Sequence, residues 1–432
     1  MSIVQDQSRS VVAPLQSRPF GLAAQIGNFL GRDVPVAIEC YDGSRLGPSD
    51  ATTRIVVRSR DALRYILTAP GELGFARAYV AGEIDILGDI FEALALRERV
   101  PQVKVSPREW LTWARAIGVD GLRPLPAPPE EIRPRGVRHS KARDATAIAH
   151  HYDVSNDFYR LVLGPSMTYS CAVFATPDAT LEAAQAAKCE LVCRKLGLEP
   201  GMRLLDIGCG WGGMVMHAAQ RYGVRAVGVT LSERQAEWAR HAVAEAGLAD
   251  RVEIRIQDYR DVRDGPYDAI SSIGMFEHVG AAKLDEYFAR CFALLRPGGR
   301  LLNHGIARAS GRARLARRGF INRYVFPDGE LHEVGSVVSR IQHAGFEVRN
   351  VEGLREHYDQ TLRHWIANLE ANWPRAVAFA GAGRARVWRL YMAGSAVGFR
   401  DARLQIHQVL AVRNEHDGTS RMPRRPDWEP PA

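Results

Sequence analysis

From Arg203 onward the chain alternates short apolar runs with amphipathic stretches, an order that few architectures accommodate. RLLDIG (203–208), AVGVTL (226–231), VEIRIQD (252–258), YDAISSI (267–273) and RLLNHGIA (300–307) read as strands set off by Gly, Pro or Asp. Between them, SERQAEWARHAVAEAG places Ala236, Ala239, Val243 and Ala246 on one helical face. Strands separated by helices cannot pair as hairpins. They join in parallel with helices on both faces, so the expected fold class is α/β with a doubly wound, Rossmann-like sheet.

At 432 residues the chain exceeds one ordinary core, and a second domain is expected. Residues 1–18 are polar and without period and read as a disordered lead. Over 19–120, VPVAIECYDGSRLG and TTRIVVRSRDALRYIL suggest short strands around an Asp-Gly turn followed by a helix, a small α+β domain. The stretch 121–143 has five prolines and many Arg and Lys; proline fixes φ and removes donors, so this is an extended basic linker. The large domain then spans 144–415, with a polar tail over 416–432.

No run approaches the roughly 18 apolar residues that cross a bilayer, and MSIVQDQSRS lacks the order of a signal peptide. Six scattered cysteines form no framework, which points to a reducing, cytoplasmic compartment. The net charge of +8 favours anionic partners without naming one.

The run LLDIGCGWGG ends the first strand and enters a helix. Its glycines, Gly208 and Gly210 among them, let the backbone turn sharply and approach a ligand at a helix N-terminus. Dinucleotide-binding folds share that feature, but Asp206 beside the turn separates the two ligand classes. A pyrophosphate tolerates an acid poorly, whereas S-adenosylmethionine carries an ammonium and a sulfonium. Ser232 and Gln235 fit a helix capping box, with a ligand role for Gln235 equally open. Asp258 and Tyr259, after the third strand, offer an acid and a ring for an adenine.

Six ordered segments, HYDVSNDFYRLVLGPSMTYSCAVF, LDIGCGWGG, VTLSERQ, IGMFEHVG, NRYVFPDGEL and HYDQTLRHW, resemble the cyclopropane-fatty-acyl-phospholipid synthase family of S-adenosylmethionine-dependent methyltransferases. FARAYVAGEIDILGD resembles, more weakly, the N-terminal lipid-binding domain of the bacterial synthases. The resemblance implies a class I methyltransferase domain preceded by a lipid-binding-like domain. It also implies methyl transfer to the cis double bond of an unsaturated phospholipid acyl chain, followed by cyclopropane closure. Bicarbonate serves the family as the base. The implied ion-site residues are Cys171 and Ile306, through their backbones, and Glu277, His304 and Tyr358. The implied cofactor contacts are Tyr169, Ser170, Gly208, Gly210, Thr230, Leu231 and Gln235, with Asp258 and Tyr259 at the adenine.

A methylene-branched product and a small-molecule methyltransferase are the alternatives. The expected partners are phospholipid acyl chains and, transiently, an anionic membrane surface on the inner face; nucleic acid is not expected, and a homodimer is left open. His304-Gly305-Ile306 departs from the family's usual HTI, and the missing side chain is expected to widen the ion site. Cys189 and Cys193, at i and i+4, read as core rather than a metal pair, and no metal is expected. His278 and the cluster His150-His151-Tyr152 read as structural, Trp365 and Trp373 as core or channel wall. GRARLARRGF (311–320) reads as a solvated face, with lipid head-group contact as the alternative.

Overall fold

The computed structural model describes residues 21–428 except 32, 100–122, 133–135, 142, 145–154, 312–315 and 317–318. The lead, the His150-His151-Tyr152 cluster, linker residues 121–122, 133–135 and 142, and most of the 311–320 run lie outside the described residues. The chain divides into two compact units, residues 1–128 and 129–432.

In the first unit, strands β1 (Ala37–Cys40), β2 (Arg45–Leu46), β3 (Arg54–Val57) and β4 (Ile84–Leu87) form one sheet in the order β2-β1-β3-β4. Asp42-Gly43 makes the turn between β1 and β2, closed by a 3.0 Å hydrogen bond from the Cys40 amide to the Ser44 carbonyl. Helices α1 (Leu22–Leu30), α2 (Arg60–Thr68), α3 (Glu72–Val80) and α4 (Ile90–Arg99) belong to this unit. Val36, Ile38, Val57, Leu63 and Ile84 form its core. Ser59 caps α2 by accepting the Asp61 N–H. Leu125 packs on the same core, and Tyr65 Oη donates to the Pro126 carbonyl at 3.0 Å, so the start of the proline-rich stretch adheres to this unit.

Among the described residues the second unit is built on a seven-stranded sheet. Its parallel part comprises β5 (Arg203–Ile207), β6 (Arg225–Thr230), β7 (Val252–Ile256), β8 (Tyr267–Ile273) and β9 (Leu295–Arg308). Two antiparallel strands that the sequence reading did not separate, β10 (Glu347–Gly353) and β11 (Leu404–Val412), extend it to the order β10-β11-β9-β8-β5-β6-β7. The β10 run EVRNVEG is half-buried at an edge, so it lacks the apolar density that marks the central strands.

Helices cover both faces. On one, α5 (Asn156–Leu163) stands near α6 (Leu181–Leu196), α7 (Gly213–Tyr222) and α8 (Glu233–Glu245). There Val192, Val215, Ala236 and Val243 meet Leu204 and Leu302. On the other, α9 (Leu284–Leu294) and α10 (Val334–His343) bring Phe288 and Ile341 against Leu205 and Leu301. The alternation of Leu204 with Leu205 across the sheet is the period of two expected of a strand. Cys189 and Cys193 are buried in the first of these cores. The expected stripe on α8 is one residue too long: Ala236, Ala239 and Val243 are buried, whereas Ala246 is the exposed C-cap. Three further helices, α11 (Arg355–Ala371), α12 (Trp373–Ala380) and α13 (Ala382–Arg400), precede β11. After β11 the chain returns over the core, where Trp428 packs and its carbonyl accepts from Arg194 at 3.2 Å.

Candidate functional site

Two adjoining cavities open beyond the C-terminal ends of the parallel strands, where an open α/β sheet places its ligands. The first, about 1170 Å³, is lined by Tyr169, Ser170, Asp206, Gly208, Gly210, Thr230, Leu231, Gln235, Asp258 and Tyr259. The second, about 930 Å³, brings Cys171, Glu277, His304, Ile306 and Tyr358 together. Tyr169, Ser170, Ile273, Gly274 and His278 line both, and so form the wall between them.

The first cavity begins at the end of β5. Gly208 has φ +81°, and its amide and that of Cys209 both donate to the Val229 carbonyl, at 2.9 and 3.0 Å. Any Cβ at Gly208 would press on the Met275 side chain at 3.0 Å. Asp206 is 2% exposed, and its Oδ1 accepts the Ser271 hydroxyl at 2.6 Å. Burial pushes its carboxyl up to about 6, against the opposing pull of Ser271 and the Lys188 ammonium. The Thr230 hydroxyl donates to Gln235 Oε1 at 2.8 Å, and Ser232 Oγ accepts the Gln235 N–H at 3.2 Å. Ser232 thus caps α8 at the Gln235 backbone, while the Ser232 N–H donates to Thr230 Oγ1 at 3.2 Å and the Gln235 side chain turns to Thr230 and the cavity. Asp258 is engaged by the Arg260 guanidinium, Nε at 2.8 Å and Nη2 at 2.6 Å, and Arg260 also reaches Asp144 at 3.1 Å. The buried Tyr259 ring packs edge-on against Tyr287 at 4.9 Å.

The segment Met167–Phe174 runs along the dividing wall. Gln185 Nε2 donates to the Thr168 and Ser170 carbonyls at 3.3 and 2.9 Å, and Lys188 Nζ donates to Ser170 Oγ at 3.1 Å. The Tyr169 ring lies 5.2 Å from that of Trp365 and 5.5 Å from that of Trp388, and its hydroxyl donates to Tyr391 at 3.3 Å. Cys171 is fully buried, with Sγ 3.2 Å from the Ala172 carbonyl oxygen. Burial pushes its thiol well above the ordinary range, so it is not a thiolate at neutral pH.

The second cavity is held together from two strands. After β8 a tight turn, Phe276–His278, aims Glu277 at β9, where its Oε1 accepts the Ile306 N–H at 2.7 Å. That amide is thus already used. Glu277 Oε2 has no hydrogen-bond partner among the described residues. Burial pushes this carboxyl up to about 7, partly opposed by the Ile306 amide. On β9, His304 is 1% exposed, and the Gln408 amide nitrogen on β11 lies 3.3 Å from its Nδ1. Burial first, and then the charges of Lys188, Lys195 and His407, hold the imidazole neutral. With Gln408 donating to Nδ1, the single ring proton resides on Nε2, which is buried and without partner among the described residues. Tyr358 on α11 packs its ring 4.7 Å from that of Phe399. Tyr391 on α13 completes the polar set; burial raises its hydroxyl to about 12, and the Glu277 charge adds to the rise. The remaining lining includes Ile321, Phe326, Leu362, Phe399, Leu404 and Ile406.

Gly305 does not widen this cavity. A Cβ there would fall 1.9 Å from the Phe276 ring, so that ring fills the space and braces the Glu277 turn against β9. His407 pairs with Gly305 across the β9–β11 ladder. His278 is partly buried, its ring 5.4 Å from that of Phe326. Trp365 is fully buried as core, and Trp373 opens α12 half-buried. Among the described residues no cluster suited to a metal ion occurs.

Lys188, Gln185, Tyr391 and Phe276 escaped the sequence reading. Lys188 alone had a signal: at i−4 and i+4 it is flanked by Ala184 and Val192, which puts a lysine on the buried stripe of α6.

Two expectations follow from this geometry. A carboxyl whose folded value is about 7, against 4.5 ordinarily, binds more protons folded than unfolded between those values. Its contribution to stability is full below pH 4.5 and is lost as pH rises through 7. Glu277→Gln should therefore match the parent in urea melts near the lower limit and exceed it well above the upper one. Gly305→Ala should destabilise by about 1–3 kcal/mol through displacement of Phe276. Adding Phe276→Leu should give less than the sum of the two single effects in the same melts.

The family model described as mycolic acid cyclopropane synthetase matches residues 139–409. A probable fatty acid methyltransferase of Mycobacterium tuberculosis is 49% identical over 407 residues, covering 92% of this chain and 95% of its own. A tuberculostearic acid methyltransferase of the same organism is 34% identical, covering 93% of each chain. A crystal structure of a mycolic acid cyclopropane synthase complexed with SAH and CTAB superposes with a TM-score of 0.59 at 36% identity. It covers 62% of this chain and 97% of that one.

Proposed function

The chain belongs to the mycolic acid cyclopropane synthetase family of S-adenosylmethionine-dependent methyltransferases, and on that premise we propose that it closes a cyclopropane on the cis double bond of a phospholipid acyl chain. The observation that carries this reading is the second cavity. A buried imidazole N–H and a buried carboxylate oxygen, neither with a partner among the described residues, converge on a pocket that also carries Glu330, Tyr358, Tyr391 and Ser395 but has a long apolar stretch formed by Ile321, Phe326, Leu331, Leu362, Phe399 and Leu404. A small-molecule substrate would leave that apolar length unfilled, whereas an acyl chain fills it.

S-adenosylmethionine supplies an electrophilic methyl on its sulfonium, and the first cavity suits it: a glycine turn at a helix N-terminus, a buried acid, and Gln235 beside Thr230. The alkene of the acyl chain attacks that methyl; its π pair forms the new C–C bond as the C–S bond breaks. The electron-poor carbon left behind is stabilised by the negative charge of Glu277, which is partly ionised at neutral pH. Loss of a proton from the new methyl lets its C–H pair close the ring. The unpartnered His304 Nε2–H and the hydroxyl of Tyr358 fit an oxyanion, and Glu277 Oε2 a shared proton. A bicarbonate ion bound there would supply the base for that proton. Ile306 acts by fixing Glu277 through its amide, and Cys171 acts as wall. The rings of Tyr159, Trp365 and Trp388 around Tyr169 would keep water from the cation.

A second reading keeps the same attack but ends in a hydride shift and loss of a proton, giving a methylene branch. The likeness to a tuberculostearic acid methyltransferase over nearly the whole chain favours it. In either reading the substrate lies in a bilayer. No helix among the described residues is long and apolar enough to cross one. We therefore read the enzyme as peripheral on the inner, cytoplasmic face, with the N-terminal unit and basic stretches meeting lipid head groups.

Incubation with methyl-labelled S-adenosylmethionine and vesicles of a defined unsaturated phospholipid tests the proposal. NMR of the recovered lipid should show high-field ring protons; vinylidene protons would select the second reading. Label confined to water-soluble product would exclude both. Glu277→Gln and Tyr358→Phe should each lose about 10²-fold or more in turnover while binding S-adenosylhomocysteine as the parent does in calorimetry. Cys171→Ser should keep most of the activity, because the alkene is the nucleophile.

A further inference from the structure

Lys188 sits on the buried stripe of α6, 1% exposed, and lines the first cavity together with Asp206. A buried ammonium is costly unless its charge and its three donors are met. Among the described residues its hydrogen-bond acceptor is Ser170 Oγ, at 3.1 Å, and no carboxylate pairs with it. Asp206 is near enough to be influenced by the Lys188 charge, yet its Oδ1 is taken by the Ser271 hydroxyl at 2.6 Å. A lysine placed only to neutralise Asp206 would be in contact with it. Instead the cavity presents a buried cation and a buried anion side by side and unjoined, the complement of a zwitterion.

We propose that Lys188 binds the α-carboxylate at the amino-acid end of S-adenosylmethionine, with Asp206 facing the α-ammonium. The assignment rests on the cofactor reading above and adds to it a residue and an orientation. Lys188 then has a second effect. By holding Ser170 Oγ while Gln185 holds the Thr168 and Ser170 carbonyls, it couples occupation of the first cavity to the wall of the second. The methionine carboxylate completes the donors of the side chain that fixes the wall, so the bound cofactor stiffens the partition next to the reacting carbons.

The test is a ligand-side comparison. S-adenosylhomocysteine and its decarboxylated analogue are titrated calorimetrically into the full-length parent, Lys188→Met and Lys188→Gln. The parent should bind the carboxylate-bearing ligand at least about tenfold more tightly, as a charge-assisted contact requires. In both variants that ratio should fall towards one. A ratio of one in the parent overturns the proposal without any variant, so a variant that fails to fold does not rescue it. A full ratio retained in a folded variant overturns it as well. Absence of S-adenosylhomocysteine binding to the parent would overturn the cofactor reading itself, whereas binding without discrimination overturns only the assignment of Lys188.

Discussion

The hydrogen bond from the Ile306 amide to the Glu277 carboxylate joins two strands whose ends make the second cavity. A carboxylate this buried is unfavourable unless its lone pairs are met. One oxygen is satisfied by the backbone of β9; the other faces the cavity with no partner among the described residues. The same strand carries His304, whose Nδ1 is occupied from β11 and whose Nε2 is left over. The sheet therefore does more than support the site. Its hydrogen-bonding pattern decides which polar atoms are consumed internally and which remain for a ligand.

Burial has opposite effects on the two groups and so gives them distinct roles. It raises the Glu277 carboxyl to about 7, where the group can hold or release a proton near neutrality, and it keeps His304 neutral, a donor without charge. Cys171, beside them, is buried as deeply and becomes inert by the same desolvation. A cysteine in such a position invites a nucleophilic role, and the low dielectric that shapes its neighbours removes it.

The wall between the cavities is a strap that has no regular structure of its own. It depends on Gln185 and Lys188 beneath it and on the aromatic rings of Tyr159, Trp365 and Trp388 around Tyr169. Side chains from α5, α6, α11 and α13 thus converge on a few residues, and the two cavities share a surface rather than merely adjoining.

By itself the sequence determined the parallel sheet, because strand and helix periods alternate in it, and the glycine turn with Asp206, because ligand approach demands that spacing. The ordered motifs pointed to the residues that line the two cavities. Other features were decided by tertiary structure. The strand β10 lies at an edge and so carries no strong apolar pattern. Gly305, which read as a gap, is filled by the Phe276 ring from another segment. That the Ile306 amide donates to Glu277, across from β8 to β9, has no counterpart in the local sequence. Lys188 and Tyr391 belong to helices far apart in the chain and meet the site only after packing. The common reason is physical: periodicity reports which way a side chain faces its own element, whereas the partner waiting there comes from segments whose distance in sequence carries no signal.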